Sequence, residues 1–137
     1  MRPGPPRGAT ASLEVTVTSE MTARIDGREI HAVYGTVPLV AHVEQVCRTL
    51  LEPHLEDREE GVGARIELLH RAPVPVGARI SLVATVASGA QDSLTCEILV
   101  RHGGSVVARG SFEQRIVPID AFRAEVEARR RPAPQAG

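Results

Sequence analysis

From Ser12 to Thr18 the chain alternates strictly, with Leu13, Val15 and Val17 on one side and Glu14, Thr16 and Thr18 on the other. That period of two predicts a half-buried strand. Residues 19–35 carry mixed signals around the turn dipeptide Asp26-Gly27 and are read as irregular. The pattern then turns helical. Thr36 suits an N-cap, Pro38 sits in the first turn, and Val40, Val43, Cys47, Leu50 and Leu51 recur at helical spacing. Pro53 and the acidic run Glu56 to Glu60 close this helix.

After Gly61 the period returns to two. Val62, Ala64, Ile66, Leu68 and His70 share one face of a strand ending near Arg71, and Pro73, Pro75 and Gly77 break it. Ile80, Leu82, Ala84 and Val86 mark a second strand, closed by a Ser88-Gly89 turn. Leu94, Cys96, Ile98 and Val100 mark a third, with a tight hairpin at His102-Gly103-Gly104. A fourth runs from Ser105 to Val117. Asp120 to Arg130 reads as a short amphipathic helix with Phe122 and Val126 inward. Residues 1–11 and 131–137 are rich in Pro, Gly and Arg without apolar period, which predicts frayed tails around a single domain at 12–130.

One strand, one long helix and four further strands joined as hairpins predict an α+β architecture. A meander that follows an apolar helix has to wrap it to bury it. This is the layout of the hotdog fold, an antiparallel sheet curled around one long central helix. A single such unit leaves apolar edge uncovered, so at least a homodimer is expected.

Composition narrows the class. Apolar residues make up 42% and charged residues 24%, within the range of globular chains, which excludes global disorder. No apolar run approaches the ~20 residues of a membrane-spanning helix, and no basic segment followed by an apolar one opens the chain. A net charge of -1 and only three aromatics, Tyr34, Phe112 and Phe122, argue against a nucleic-acid binder. All basic residues are Arg, so no Schiff-base lysine is available. Cys47 and Cys96 lie far apart and read as two buried thiols in a reducing cytoplasm, without a disulfide framework or cysteine zinc site. His42 and Glu44 form only an H-x-E fragment, and no metal is expected.

Three polar residues sit where the pattern calls for apolar ones. On a helical wheel Glu44 projects between Val40 and Leu51, away from the polar side formed by His42, Gln45, Thr49 and Glu52. A carboxylate in that stripe must be paired, hydrogen-bonded or protonated. The plain alternative is an i,i+4 pair with Arg48. His70 ends a strand whose same-face predecessors are apolar and so points toward the helix; alternatively it is a core-edge histidine bonded to backbone. Thr36 is either a simple N-cap or a working hydroxyl, and Gly63 on the same strand eases sheet curvature or serves a ligand. A carboxylate on the helix and an imidazole on the strand that wraps it together form a general-base arrangement.

The segments Val33-Tyr34-Gly35-Thr36, Val40 to Cys47, Pro53-His54-Leu55, Val62-Gly63 and Leu69-His70-Arg71-Ala72 resemble the hotdog thioesterase family typified by fluoroacetyl-CoA thioesterase. The resemblance covers roughly residues 30–120. It implies Thr36, Glu44 and His70 as the catalytic set and the backbone N–H of Gly63 as a donor to the thioester carbonyl. Ile30, Tyr34 and Arg115 are implied as further substrate-binding positions. Where the type enzyme closes its acyl pocket with two phenylalanines this chain has Gly27 and Ile30. Gln114 replaces an arginine, with Arg115 one place later.

The resemblance implies hydrolysis of a small acyl thioester of coenzyme A, or of an acyl carrier protein's phosphopantetheine arm. No separate cofactor, nucleic acid or membrane is expected. Glu44 would attack the carbonyl or activate water, His70 would act as base or acid, and Thr36 would orient them. Pockets of such enzymes lie at a dimer interface, shared between subunits. The rivals are a hotdog dehydratase or hydratase, which also arranges acid and base around a pantetheine thioester, and a non-catalytic acyl-CoA-binding module.

Overall fold

A computed structural model describes residues 1–131. The chain runs β1 (Thr10–Thr16), the hairpin β2 (Thr22–Ile25) and β3 (Arg28–Tyr34), the helix α1 (Thr36–Leu51), then β4 (Glu59–His70), β5 (Arg79–Ala90), β6 (Ser93–His102) and β7 (Ser105–Pro118). It ends in α2 (Ile119–Arg129). Five strands form one antiparallel sheet in the order β1-β5-β6-β7-β4, and β2 and β3 pair separately. The sheet curls around α1, as the hotdog layout requires.

The apolar stripe of α1 explains the curl. Leu39, Val43, Val46, Cys47, Leu50 and Leu51 are buried along its length. Leu82, Ala84 and Val86 of β5 and Leu94, Cys96 and Ile98 of β6 meet them from strands of period two. Each large apolar side chain buried in this layer contributes about 1.5–3 kcal/mol relative to exposure. Burial and contact with each other push the Cys47 thiol well above its ordinary value, the contact with Cys96 leading, so it stays protonated.

Strand pairing departs from a simple meander. β4 pairs with β7 rather than with β5, while β1 takes the place beside β5. The connection between β4 and β5 spans residues 71–78, too long for the hairpins of about two to five residues that join adjacent strands. β4 and β1 are therefore the two edges.

The face assignment in β4 also changes. Gly61 and Gly63 lie opposite Ile116 and Gln114, and Ile66, Leu68 and His70 lie opposite Phe112, Gly110 and Ala108. Directly opposed residues share a face, and these β7 residues alternate toward α1. A bulge between Gly63 and Arg65 switches the phase. Val62, opposite Arg115, and Ala64 in the bulge therefore leave the inner face that strict alternation assigns them.

Other expectations are revised locally. Residues 19–35 are a hairpin whose Asp26 and Gly27 both take positive φ, 52° and 77°, the geometry of a two-residue turn. The first eleven residues are not a free tail: Arg2 N–H donates to the His54 carbonyl, Gly8 N–H to that of Val86, and Val86 N–H to that of Ala9. Thr10 and Ala11 already belong to β1. Ser88 and Gly89 lie within β5, beyond a bulge, rather than in a turn. Phe122 and Val126 of α2 are each 40% exposed, because this helix buries none of its residues. Of the C-terminal tail, residues 132–137 lie outside the described residues.

At Gly110, opposite Leu68, β7 passes close to β4. A Cβ there would run into the Glu67 carbonyl and come within 2.9 Å of the Leu68 Cα, both backbone atoms that cannot step aside. Gly110→Ala should therefore destabilise the fold by roughly 1–3 kcal/mol or more. Gly104→Ala, in the β6–β7 turn with open space around it, should stay within about 0.5 kcal/mol of wild type. Denaturant midpoints of the two variants check this pair, and equal midpoints would contradict it.

Candidate active site

Thr36 opens α1, but it is not the cap. Gly35 occupies the N-cap, with no side-chain capping bond, and its tight fit explains the glycine: a Cβ would sit 3.0 Å from the Ala23 Cα. The Thr36 hydroxyl is left free and is hydrogen-bonded to His70 Nδ1 at 3.1 Å. The N-terminus of the central helix and the C-terminus of β4 thus meet through two predicted site residues. His70 is half-buried, and burial lowers its proton affinity below the ordinary imidazole value. The ring is neutral near pH 7, with Nε2 away from Thr36.

Beside this pair lies a cavity of about 290 Å³ bounded by Ala23, Ile25, Ile30, Thr36, Val37 and Pro38 among others. Ile30 therefore takes the wall position implied for it, 43% exposed. Gly27, at the hairpin tip, is not part of that wall. Tyr34 is 1% exposed and lies behind the pair, its hydroxyl hydrogen-bonded to His42 Nδ1 at 2.5 Å. It supports the site from within rather than facing the cavity.

Glu44 is exposed in the single chain, contrary to the expected place inside the stripe. The stripe centres on Leu39, Val43 and Leu50, and at about 100° per residue Glu44 falls on its flank. The i,i+4 pairing with Arg48 is absent too. Arg48 instead reaches Glu52 at 3.3 Å and Glu60 in a close contact that holds the Glu60 carboxyl below its ordinary value. Among the described residues Glu44 makes no ion pair.

Glu44 opens onto a second cavity, about 310 Å³, with Ala41, Arg48, Gly63, Phe112 and Gln114 also on its wall. Gly63 and Glu44 thus share one pocket. Gly63 lies at the β4 bulge, where a Cβ would meet the Phe112 ring at 3.2 Å. Arg115 points to the other face of β7, 59% exposed, with Glu113 3.9 Å away. The implied set therefore divides: Thr36, His70 and Ile30 at one place, Glu44 and Gly63 at another. Eight residues of helix separate Thr36 from Glu44 by about 12 Å, and seven of strand separate Gly63 from His70 by ~23 Å.

Two residues of this region were not singled out by the sequence pattern. Gln114 is 5% exposed and its Nε2 donates to the Cys47 carbonyl at 3.2 Å. Its position between inward Phe112 and Ile116 was the available signal. His42, assigned to the polar side of α1, is half-buried against Tyr34. No group of three or more His, Cys, Asp or Glu converges as a metal site among the described residues. Among them, too, no helix is long and apolar enough to cross a membrane.

A central helix in a curled antiparallel sheet, with polar groups on the seam between helix and edge strand, defines a hotdog protein of the thioesterase superfamily. Residues 17–120 match the fluoroacetyl-CoA-specific thioesterase family, FlK, and the chain belongs to that family. A Thermus thermophilus member of the thioesterase superfamily is 32% identical, with TM-score 0.87 over 93% of this chain and 94% of that one. The fluoroacetyl-CoA thioesterase FlK is 22% identical, with TM-score 0.84 over 94% and 99%. A hot-dog-like protein from Thermanaerovibrio acidaminovorans is 20% identical, with TM-score 0.85 over 93% and 95%. Comparison with curated proteins finds no match.

Because Gly35 is the cap, Thr36→Ala should cost no more than about 1 kcal/mol, the worth of one ordinary hydrogen bond. It should still change the His70 titration, since Nδ1 loses its partner, and Thr36→Ser should restore it. In wild type the NMR midpoint of His70 should fall below the ordinary 6.5. The unfolded chain takes up this proton first, so the His70 contribution to stability is present above pH 6.5 and is lost as pH falls through the folded midpoint. A midpoint above 6.5 would contradict the burial argument.

Proposed function

We propose that the protein hydrolyses acyl-CoA thioesters at a site completed by a second copy of the chain. The observation that carries the reading is the Thr36–His70 hydrogen bond beside an apolar cavity, in a chain of this thioesterase family. Water adds its oxygen to the thioester carbonyl carbon, the C–S bond breaks, and the thiolate leaves with a proton. His70, neutral near pH 7, takes or returns that proton, and Thr36 holds its ring by Nδ1. Glu44 supplies the carboxylate for the attacking step, and the Gly63 N–H receives the developing oxyanion. Variants of FlK hold acetyl-CoA, or fluoroacetate with CoA, which supports coenzyme A over a carrier protein as the carrier.

Two copies are needed because Glu44 and Gly63 stand apart from His70 in one chain. β4 is a free edge, and Gly63 to Glu67 are exposed along it. An antiparallel β4–β4 pairing centred between Ile66 and Glu67 would set Gly63 of one chain opposite His70 of the partner subunit. The β4 bulge matters here, since it brings Gly63 and His70 onto one face. Ile66 and Leu69, 39% and 52% exposed, would be covered in the same step.

Subunit mixing tests this directly. Glu44→Gln and His70→Ala should each lose thiol release by several orders of magnitude while folded. Mixed and refolded together, they should recover activity in about a quarter of the wild-type sites, because hetero pairs rebuild one intact site. Two inactive variants that stay inactive after subunit exchange would locate the site within one chain.

Substrate choice follows from the open wall. Ile30 and the turn residue Gly27 stand where the type enzyme has two phenylalanines. A hydrophobic pocket discriminates by only about 1–3 kcal/mol per methylene, so selectivity should be graded. Fluoroacetyl-CoA should hold no large advantage over acetyl-CoA, and longer or branched acyl groups should react faster. Thiol release from fluoroacetyl, acetyl, butyryl and longer CoA and pantetheine thioesters decides it. A fluoroacetyl preference of several orders of magnitude would overturn the expectation.

A further inference from the structure

Three rings meet behind the Thr36 hydroxyl. Tyr34 ends β3, and its N–H donates to the Val74 carbonyl at 2.8 Å while Thr22 lies opposite it in β2. Its ring stacks on His42 of α1, centroids 5.8 Å apart and planes inclined by 12°. It meets His70 of β4 edge-on, at 6.2 Å and 72°. Aromatic rings at such separations attract one another through their quadrupoles. Among the described residues, the side-chain hydrogen bond of Tyr34 goes to His42 and that of His70 goes to Thr36.

The protonation states fit this arrangement. Burial raises the Tyr34 phenol far above its ordinary value, so it keeps the proton it donates. Burial lowers His42 below its ordinary value, so its ring is neutral near pH 7 and keeps one bare nitrogen able to accept. A protonated phenol beside a neutral imidazole can donate to a bare Nδ1, which would make His42 the Nε2–H tautomer.

We propose that His42 is a positioning residue for His70: by accepting the Tyr34 hydroxyl it fixes the ring against which the His70 imidazole rests, and so aims His70 at Thr36. A buried phenol that loses its acceptor must turn toward another polar atom or toward water, because an unpaired buried hydroxyl is costly. The Tyr34 ring is buried and meets His70 edge-on, so turning it would disturb that contact. Removing hydroxyl and acceptor together leaves nothing to satisfy, and such paired apolar replacement is nearly neutral. That asymmetry separates a positioning role from simple packing. The kinetic part of this inference rests on the hydrolase reading above, while the geometric part does not.

The test compares His42→Leu, Tyr34→Phe, the double variant, and His42→Asn, whose side-chain oxygen can accept in place of Nδ1. Two readouts are taken: the ring resonances of His70 by ¹H–¹³C NMR, and kcat and KM for thiol release from butyryl-CoA. His42→Leu should shift the His70 resonances and lower kcat about tenfold, with KM changed less than about twofold. Tyr34→Phe alone keeps the ring and leaves half-buried His42 able to turn to water, so it should disturb both readouts less than His42→Leu. The double variant and His42→Asn should return both readouts toward wild type. A folded His42→Leu protein with wild-type His70 resonances and kcat would overturn the inference. So would a double variant as impaired as His42→Leu, because His42 would then act without Tyr34. Should the wild type release no thiol from any thioester, the hydrolase reading fails, and the His70 resonances still decide the role of His42.

Discussion

The burial of one helix face dictates most of this molecule. Leu39, Val43, Val46, Cys47, Leu50 and Leu51 have to leave water together, and a flat sheet cannot cover a helix along its whole length. The sheet therefore curls, with β1 and β5 packed most extensively on the helix and β4 carried round to the other edge beside β7. Close passage at Gly110 and the bulge beyond Gly63 are the local cost of that curvature. They also place the candidate site. The edge strand arrives beside the start of α1, and His70 at its end meets Thr36. A flatter β4 would leave these two residues on separate surfaces.

Much of this was legible from period alone. Alternation in β1, β5 and β6 matches their buried residues, because each of these strands packs one face on a single apolar layer. The central helix was equally clear. Strand order was less so: nothing in β4 names β7 as its partner, although the proline-rich passage 71–78 was too long for a hairpin. The bulge was hidden for a related reason. It arises from pairing under curvature, so the apparent alternation of Val62, Ala64 and Ile66 ran through it unbroken. The β2–β3 hairpin lacked a readable period because most of its residues are exposed on both faces.

The site divides along the same line. His70 and Thr36 were found because an imidazole at the end of an apolar face and a hydroxyl at a helix start are local exceptions to a local rule. Glu44 was found by the same logic but misplaced, since the wheel does not say where the stripe is centred. His42 was placed on the polar side of the helix, and its inward contact was missed. Its significance lies in a contact with Tyr34 eight residues back, across a strand-to-helix turn, where two polar groups satisfy each other out of water.

The β2–β3 hairpin stands outside the main sheet and touches the site with only a few side chains, Ile25 and Ile30 among them. It is anchored at its base, where the Gly35 N–H donates to the Met21 carbonyl, while its tip contributes nothing to the core. Selection can therefore lengthen, shorten or rewrite the tip of this hairpin without disturbing Tyr34 at its base or the layer that holds Thr36 and His70. On the proposed hydrolase reading, substrate range and chemical competence would thereby be uncoupled as heritable traits, the hairpin tip varying while the Thr36–His70 pair stays constant.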